Sequence, residues 1–356
     1  MQVFTRYLTR SLSIHTVMVL AALSALSLSF ELTEQADNVL AASNGEFSAV
    51  LKFAALRLPD IVAQMLPFSV LLAALVTLTL LMRHSELVAV WSCGVSSFGV
   101  MLAFVPLAVL LGLVQLALDD LAVPATLGKL QAWGVAEFRR GSSFAGDSDA
   151  VWLLSGNDIV RMPLATARAG EVTALTIFRR RADGVLIEQI EAAHADRLPT
   201  GWRLRDVVRH DVATATSQIL PELTWDGSID VEHLPLISAT RRELSLADLA
   251  LLIEREGFGQ RPLSLARTWL QYRIAAAVNA PLLIFLVVAS VQTFRRNTAI
   301  SRLLLLTVGI GFAFFAFDNL SLALGETGFL PPWFAAWGPK AALSCLIASM
   351  ILRNEY

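Results

Sequence analysis

Residues 98–118 read Phe98-Gly-Val-Met-Leu-Ala-Phe-Val-Pro-Leu-Ala-Val-Leu-Leu-Gly-Leu-Val-Gln-Leu-Ala-Leu118, a stretch without a charged side chain. A helix needs about 20 residues to cross about 30 Å of hydrocarbon, so this stretch has the length of one membrane span. Five further stretches share this character, and the six together are approximately Leu12–Phe30, Ile61–Met82, Phe98–Leu118, Ile274–Phe294, Leu303–Leu324 and Ala335–Leu352. The segment between the third and the fourth carries charges and turns that no bilayer would hold. The sequence therefore predicts three spans, one water-soluble domain and three more spans.

The composition of the 356-residue chain supports a membrane protein. It is 55% hydrophobic and only 16% charged, whereas soluble domains contain about 25% charged residues. The two cysteines, Cys93 and Cys345, lie far apart in the sequence, so no disulfide framework is predicted. Arg6 and Arg10 precede the first apolar stretch as in a signal peptide, but the apolar region of a signal peptide has only about 7–15 residues. We therefore expect an uncleaved first span.

The distribution of arginine predicts the orientation in the membrane. If the N-terminus is cytoplasmic, the cytoplasmic segments are rich in arginine, with Arg6, Arg10, Arg83, Arg295, Arg296, Arg302 and Arg353. The short outer segments are acidic instead, with Glu31, Glu34, Asp37, Asp119, Asp120 and Glu326. This asymmetry obeys the positive-inside rule. Both termini are therefore expected on the cytoplasmic side of the inner membrane, and the polar domain in the periplasm of a Gram-negative cell.

The polar segment alternates between apolar and polar residues in short runs at 151–160, 171–178, 185–193 and 201–212. Turn sequences such as Ala182-Asp-Gly separate the runs, and this spacing is typical of an all-β sandwich or jelly roll. From Ser245 the period becomes helical, with Asp248 placed as in a capping box and Gly257 at the end. The predicted organisation is spans one to three in 1–118, a β domain in 119–244, a connecting helix in 245–270 and spans four to six in 271–356.

The outer segment between spans one and two is predicted to be amphipathic. Residues 31–37 continue the first helix beyond the membrane, and apolar residues from Phe47 to Leu58 recur at helical spacing until Pro59 ends the helix. Lys52 and Arg57 lie on the polar side of this second helix. A plain connecting helix explains the pattern equally well.

Motifs of catalysis are missing from the sequence. The chain contains no G-x-x-x-x-G-K-[ST] phosphate loop, no G-x-S-x-G, no H-E-x-x-H and no C-x-x-C. His194, His210 and His233 lack the spacing of metal ligands. We therefore expect no enzyme activity, no cofactor and no metal, and ATP hydrolysis would require a separate subunit.

The strongest local signal is the short cytoplasmic segment Arg83-His-Ser-Glu-Leu-Val-Ala-Val-Trp-Ser-Cys-Gly94. Ser85 is placed to cap a short helix, and Glu86 in its first turn suits the helix dipole. An apolar face at helical spacing follows, made of Leu87, Val90 and Trp91. Such a helix, with an acidic start and an exposed tryptophan, fits a groove on a cytoplasmic ATPase. An interfacial turn that only joins two spans explains the segment equally well.

Arg83-His-Ser-Glu-Leu-Val together with Gly94 resembles the cytoplasmic coupling helix of the LptF/LptG lipopolysaccharide-export permeases. Further motifs resemble the same family in their order and spacing: Arg6-Tyr7, Arg273-Ile-Ala-Ala-Ala-Val-Asn-Ala-Pro281, Gly309-Ile-Gly311, and Leu324-Gly-Glu-Thr-Gly-Phe-Leu-Pro-Pro-Trp-Phe-Ala-Ala-Trp337. The stretch 192–202, the chain length and the arrangement of spans around one domain also fit. The resemblance covers essentially the whole chain, and Gly201-Trp-Arg-Leu with the N-terminus favours the LptG branch.

The resemblance implies an inner-membrane permease subunit of an ABC transporter that extracts lipopolysaccharide and passes it to a periplasmic bridge protein. Its expected partners are a cytoplasmic ABC ATPase dimer, a sister permease in a heterodimer, the bridge protein, lipopolysaccharide and the membrane, but no nucleic acid. The segment that engages the ATPase would use Arg83, Ser85, Glu86, Leu87, Val90 and Trp91. Spans one and five would line a lateral gate. The jelly roll would guide the acyl chains along Leu175, Ile177, Val185 and Ile187.

The lipid cavity is where this chain departs from the family pattern. Some members carry basic residues at the outer end of span one, suited to lipid phosphates, whereas this chain has Glu31, Glu34 and Asp37. Bridging divalent cations, the sister subunit, or Lys52 and Arg57 are the alternatives for phosphate capture. The expected cavity residues are Glu31, Glu34, Lys52, Arg57, Asp318 and Asn319.

Asp318 is an ionisable residue inside a predicted span, where charges usually face a cavity or a partner. It either lines the cavity with Asn319, or it reaches the outer interface or a hydrogen-bond partner on a neighbouring helix. Pro281 predicts a kink in span four, and Gly309 and Gly311 allow close packing of span five.

Two other functions compete with the transporter interpretation. One is a membrane scaffold whose periplasmic β domain binds a partner protein. The other is a proton-coupled carrier that uses Asp318. Carriers usually show internal repeats, and the two halves of this chain show no convincing repeat, so the carrier is the less favoured of the two.

Overall fold

The computed structural model describes residues 2–43, 46–92, 94, 97–133, 150–163, 172–181, 184–198, 201–212, 214, 216–227, 241–254, 263–293 and 300–355. The chain divides into two compact units. The first consists of Met1–Ala136, Ser245–Leu249 and Ser264–Tyr356, and the second of Glu137–Leu244 and Ala250–Leu263. The described part of the first unit is helical, and a β-sheet dominates that of the second.

The described helices are long in most of the first unit. They are α1 (Gln2–Ala42), α2 (Phe47–Arg83), α3 (Glu86–Ser92), α4 (Ser97–Ala117), α5 (Val123–Trp133), α6 (Leu246–Glu254), α7 (Leu263–Ala276), α8 (Asn279–Thr293), α9 (Ile300–Glu326) and α10 (Pro332–Glu355), with a π-helical turn, Leu118–Ala122, between α4 and α5. Among the described residues, five helices are long and apolar enough to cross a membrane, and α7 with α8 forms a sixth candidate bent by 49°. The prediction of apolar helices on both sides of an inserted domain is confirmed.

Helix α8 forms the centre of the helical unit. Its side chains are buried all around the helix, and Leu283, Leu286 and Ala289 have no exposed surface. A helix that is apolar on every side belongs in an interior, and α8 packs against α2, α4 and α10. Helices α1 and α9 instead expose large apolar side chains such as Phe30 and Leu305. In a membrane protein such faces meet lipid or another subunit.

The kink predicted at Pro281 is confirmed as a break in the fourth span. The helix stops at Ala276 and resumes at Asn279. Proline has no N–H, so Pro281 cannot donate a hydrogen bond to the carbonyl oxygen of Ala277, four residues earlier. That carbonyl lies against Gly112 of α4, where a Cβ atom would clash with it. The break in one helix therefore coincides with the closest approach of another.

The predicted end of a helix at Pro59 is wrong, because α2 runs through Pro59 and Pro67 without interruption. Because proline has no N–H, Pro67 of α2 cannot donate a hydrogen bond to the carbonyl oxygen of Ala63. The side-chain amide of Gln115 on α4 donates to this carbonyl at 3.2 Å. A tertiary contact thus satisfies the group that the proline leaves free, which sequence periodicity cannot show.

The helical unit extends further along the chain than the predicted boundary at residue 119. After the π-helical turn, α5 continues to Trp133, with Pro124 directly behind the turn. Within the predicted connecting helix 245–270, the described residues form α6 (Leu246–Glu254) and the beginning of α7 from Leu263. Its predicted capping box is present: the N–H of Ser245 donates to Asp248 at 2.8 Å, and the N–H of Asp248 donates to Ser245 Oγ at 3.2 Å. The predicted end at Gly257 lies outside the described residues.

The second unit contains one antiparallel sheet. Its strands are β1 (Ala150–Ser155), β2 (Asp158–Pro163), β3 (Val172–Arg180), β4 (Leu186–Leu198), β5 (Gly201–Asp211) and β6 (Thr216–Trp225). Each strand pairs with the next along the chain. The prediction of an inserted β domain is confirmed. The described strands form a meander, and the crossovers of a jelly roll do not occur among them.

A row of unpaired residues crosses the sheet, and we call it the crease: Ala174, Ala193, Asp206 and Pro221. In each of the three ladders β3–β4, β4–β5 and β5–β6, the residues on both sides of this row are paired but the row itself is not. Ala174 and Asp206 have φ values of 58° and 52°, a left-handed conformation that interrupts an extended strand.

The crease changes which residues face the core. In a regular strand, residues three apart point to opposite faces. Across the crease, however, Ala192 and Ala195, Leu204 and Val207, and Leu220 and Leu223 all pack in one hydrophobic cluster. The strands therefore turn at the crease, so that both halves of the sheet present their apolar side chains to one inner face.

Candidate functional site

Helix α3 faces the helical core with its apolar side. Leu87 and Trp91 are 2% and 8% exposed and belong to the main hydrophobic cluster, and Val90 packs against it. The expected exposed tryptophan is therefore wrong: the apolar face anchors α3 to the helical unit. Arg83, Ser85 and Glu86 are exposed. The acidic start of α3 is therefore exposed, whereas the face formed by Leu87 and Trp91 is buried.

A sharp corner sets the direction of α3. Ser85 adopts a left-handed φ of 58°, and its carbonyl oxygen accepts the N–H of Ala89 at 3.0 Å as the first helical hydrogen bond. Ser85 thus occupies the predicted N-cap position through its backbone. The corner brings Glu86 to the start of α1, where the Tyr7 hydroxyl donates to Glu86 Oε2 at 3.0 Å. Sequence reasoning did not assign Tyr7 to this site, although the Arg6-Tyr7 motif marked it.

Arg57 joins the C-terminal part of α1 to α2. Its guanidinium forms ion pairs with Glu31 of α1 and, at 2.9 Å, with the buried Asp60 of α2. Gln64 also donates to Asp60 at 2.9 Å. The structure therefore brings Glu31 and Arg57 together, as two of the predicted cavity residues. Both carboxylates compensate the positive charge of Arg57.

The other two predicted residues of the outer segment have different surroundings. The exposed ammonium group of Lys52 lies 4.3 Å from the centroid of the Trp133 ring of α5, a cation–π distance. Glu34 is exposed on α1. Lys52 thus contacts an aromatic ring, and this contact does not neutralise the positive charge of its ammonium group.

Asp318 lies between three helices and not on an exposed cavity wall. It is 1% exposed and forms an ion pair with Lys340 of α10, which is 2% exposed. The Tyr272 hydroxyl of α7 donates to Asp318 Oδ2 at 3.2 Å, and Lys340 lies 4.5 Å from the Tyr272 ring centroid. Of the two alternatives for Asp318, the structure supports the partner on a neighbouring helix. Asn319 is exposed and donates to the Phe315 carbonyl of its own helix at 2.8 Å.

The two glycines of span five differ in their surroundings. Gly311 lies against the Leu71 side chain of α2, whereas nothing is within 4 Å of a Cβ placed at Gly309. Next to this contact, the rings of Phe68 and Phe315 lie 4.1 Å apart. Helix α9 is thus closely packed against α2 at Gly311, whereas Gly309 is exposed.

The two acidic residues of the π-helical turn, Asp119 and Asp120, contact different partners. Asp119 accepts a hydrogen bond from Gln115 at 2.6 Å. Asp120 accepts the N–H of Leu246 at the start of α6 at 2.6 Å, and the buried Arg273 guanidinium of α7 is 3.7 Å away. Asp120 therefore joins three segments that are far apart in the sequence. Sequence reasoning used these acids only to predict the orientation in the membrane and found neither partner.

In the β domain, the structure separates the four predicted lipid-path residues. Leu175 and Ile177 are 1% and 0% exposed on the inner face. Val185 lies before β4 and is 55% exposed. Ile187 precedes the inward Glu188 and therefore points to the other face of β4. The alternation predicted from Val185 and Ile187 is shifted by one residue, because the inward side chains in this part of β4 are those of Glu188, Ile190 and Ala192.

A charged cluster closes the end of the inner face. The Glu188 side chain is 3% exposed and forms ion pairs with Arg179 at 2.6 Å and with Arg209. Asp158 lies 3.7 Å from Arg179 and accepts the indole N–H of Trp225 at 2.9 Å. Two half-exposed guanidinium groups thus compensate the buried charge of Glu188, as a buried charge requires. Sequence reasoning missed this cluster, because its members come from four strands.

Apolar helices on both sides of an inserted antiparallel β domain define a multi-pass membrane protein with a folded extramembrane domain. Residues 6–353 match the family model described as lipopolysaccharide export system permease LptF/LptG. The chain belongs to this family. It is therefore a multi-pass inner-membrane protein of a lipopolysaccharide export system, a transporter component that is not itself catalytic. The resemblance inferred from the sequence motifs is confirmed.

Individual relatives support the LptG branch. The chain is 23% identical to the lipopolysaccharide export system permease protein LptG of Haemophilus influenzae over 341 residues, covering 94% of this chain and 91% of the relative. It is 21% identical to the protein of the same name from Escherichia coli K12 over 361 residues, covering 99% of both chains. The similarity thus extends over both units.

Proposed function

We propose that this chain is the permease subunit of an ATP-driven transporter that extracts lipopolysaccharide from the inner membrane and passes it to a periplasmic bridge protein. A separate dimer of cytoplasmic ATPase subunits hydrolyses ATP, and a sister permease completes the lipid cavity. The termini and α3 lie in the cytoplasm and the β domain in the periplasm, which the distribution of arginine supports. LptG relatives along the whole chain support the substrate.

The observation that carries the proposal is the contact between Glu86 and Tyr7. Glu86 is an exposed carboxylate on a short helix whose apolar face, Leu87 and Trp91, is anchored in the helical core. A cationic group of the ATPase can pair with Glu86 from outside. The Tyr7 hydroxyl links the same carboxylate to α1. When the ATPase moves α3, the displacement reaches α1, one of the two helices proposed to line the gate.

At the outer side, Arg57 and Lys52 have different roles in this proposal. Arg57 already has carboxylate partners on α1 and α2, so it holds the outer ends of these helices together. Lys52 is exposed and lies on an aromatic ring, so its ammonium group is the better candidate for a lipid phosphate. Asp318 and Asn319 lie on the gate helix α9, where Asp318 sets the position of the helix through Lys340.

Co-purification with the ATPase and ATP-driven release of lipopolysaccharide from proteoliposomes test the proposal. We expect Glu86→Ala to lose most of the bound ATPase. Tyr7→Phe leaves the Glu86 carboxylate available to the ATPase, so this variant should retain the bound ATPase. Its lipid release should fall several-fold, because the hydrogen bond between α1 and Glu86 is lost. Ser92→Ala, at the exposed other end of α3, is the matched control. A Glu86→Ala protein that retains ATPase and release would contradict the coupling role, and a reconstituted complex that releases no lipid would favour a scaffold.

A further inference from the structure

The inner face of the β domain is closed in this structure. Leu175 is 1% exposed, and Ile177, Ile190, Leu204 and Val207 have no exposed surface. Protein interiors are packed as densely as organic crystals, so a closed face of this kind has no room for an acyl chain. Separation of the two halves of the sheet would let a lipid reach Leu175 and Ile177.

The crease is the place where the sheet can bend with the least loss of hydrogen bonds. Three consecutive ladders are interrupted at the same row, so a rotation about this row breaks no ladder pair. Pro221 has no N–H to pair. A pocket of about 490 Å³, open to solvent, lies along the row and is lined in part by the exposed Ala174, Ala193 and Asp206. The small side chains and the empty space leave room for a rotation.

The two halves of the sheet meet at their far ends in an indole–carboxylate contact, which we call the latch. Trp225 lies in the part of β6 that follows the crease, and its ladder partner is Trp202 of β5. Asp158 begins β2, which pairs with residues of β3 on the other side of the crease. The Trp225 indole N–H donates to Asp158 Oδ2 at 2.9 Å, and Arg179 lies beside the same carboxylate.

We propose that the β domain opens and closes about the crease, and that the Trp225–Asp158 latch holds the inner face shut. The mouth that opens is bordered by the charged cluster of Arg179, Glu188 and Arg209. These two guanidinium groups are 38% and 40% exposed and keep Glu188 compensated while the face is open. That the open face receives acyl chains rests on the proposed function, but the opening itself does not.

Thiol labelling of the full-length protein measures the opening without any lipid. In a variant whose native cysteines are replaced by serine, Ile177→Cys places a thiol on the closed inner face. N-ethylmaleimide then labels this thiol only when the face is open. Trp225→Phe keeps an aromatic ring but removes the N–H. Because a hydrogen bond to a charged group is lost, labelling should become roughly 10- to 100-fold faster.

Trp202→Phe is the matched control, since Trp202 is the ladder partner of Trp225, is equally buried and loses the same atoms. We expect it to change the labelling rate much less. If both tryptophan variants label at the same rate, or if Trp225→Phe labels as slowly as the parent, the latch is disproved. An unfolding midpoint close to that of the parent shows that the variants are folded.

A reversible lock connects the opening to transport. Asp158→Cys and Trp225→Cys, joined by a bifunctional methanethiosulfonate with a reducible linker, should stop capture of lipopolysaccharide by a photo-crosslinking residue at position 177 in the ATP-driven complex. Dithiothreitol should restore the capture. Undiminished capture in the locked protein would overturn the inference. If the unlocked complex captures no lipopolysaccharide, the proposed function fails, while the labelling result still decides whether the domain opens.

Discussion

Asp318 and Lys340 show how one pair of residues orders three helices. An isolated charge in an apolar interior costs several kcal/mol, and a pair is tolerated only when both charges and their remaining hydrogen-bonding groups have partners. Here the carboxylate binds Lys340 and Tyr272, and the ammonium group also lies over the Tyr272 ring. The pair therefore defines one position of α9 relative to α7 and α10.

Removing one member of this pair should be worse than removing both. Asp318→Asn leaves the buried ammonium of Lys340 without its counter-ion, and we expect a loss of about 3–5 kcal/mol in the free energy of unfolding. The double variant Asp318→Asn with Lys340→Met has no buried charge and should recover most of that loss. Unfolding in mixed detergent micelles measures both values. A double variant that is less stable than Asp318→Asn would contradict this account.

Among the elements, α4 and the broken span α7–α8 depend on each other. Pro281 frees the Ala277 carbonyl, and Gly112 allows α4 to approach it. A π-helical turn then follows at the end of α4 and brings Asp120 to α6 and Arg273. Such turns are rare, because one residue is inserted into the helical repeat. The two irregular points, the break and the turn, are joined by contacts and not by sequence proximity.

A glycine pair tests the close approach of α4. Gly112→Ala places a Cβ against a backbone oxygen that cannot rotate away, so we expect a loss of about 1–3 kcal/mol in unfolding free energy. Gly309→Ala is the control, because its Cβ meets open space, and its effect should be neutral or stabilising by up to about 1 kcal/mol. Equal destabilisation by both substitutions would show that the contact with Ala277 is not the cause.

At the scale of the whole molecule, the proposed orientation requires α3 and the β domain to face different compartments. Thr214 is exposed in the β domain, and Ser92 is exposed at the end of α3. With the native cysteines replaced, a membrane-impermeant maleimide should label Thr214→Cys in spheroplasts. Ser92→Cys should be labelled only after the membrane is permeabilised. The opposite pattern would reverse the orientation and remove the basis for a cytoplasmic docking helix.

Part of the organisation followed from local sequence, and part of it did not. The capping box of Ser245 and Asp248 and the kink at Pro281 were predictable, since each depends on a few neighbouring residues. The inner face of the β domain was not, because simple alternation breaks at the crease. The only trace of the crease in the sequence is a spacing of three between apolar residues, at Leu204 and Val207 and again at Leu220 and Leu223. This spacing could be interpreted only after the pairing of β5 with β6 was known.

The apolar helices, the position of the inserted β domain and the family of the protein could be predicted from the amino-acid sequence alone. These depend on the length and hydrophobicity of continuous segments and on the order of short motifs. Three contacts became visible only in the folded chain: Lys340 neutralises Asp318, the apolar face of α3 turns inward, and Trp225 meets Asp158 across the crease. Two of these contacts join residues that are distant in the sequence. The third concerns the direction in which a helix face points, which the periodicity of the sequence does not specify. Their free energy comes from burial and charge pairing, which exist only once the helices and strands are packed.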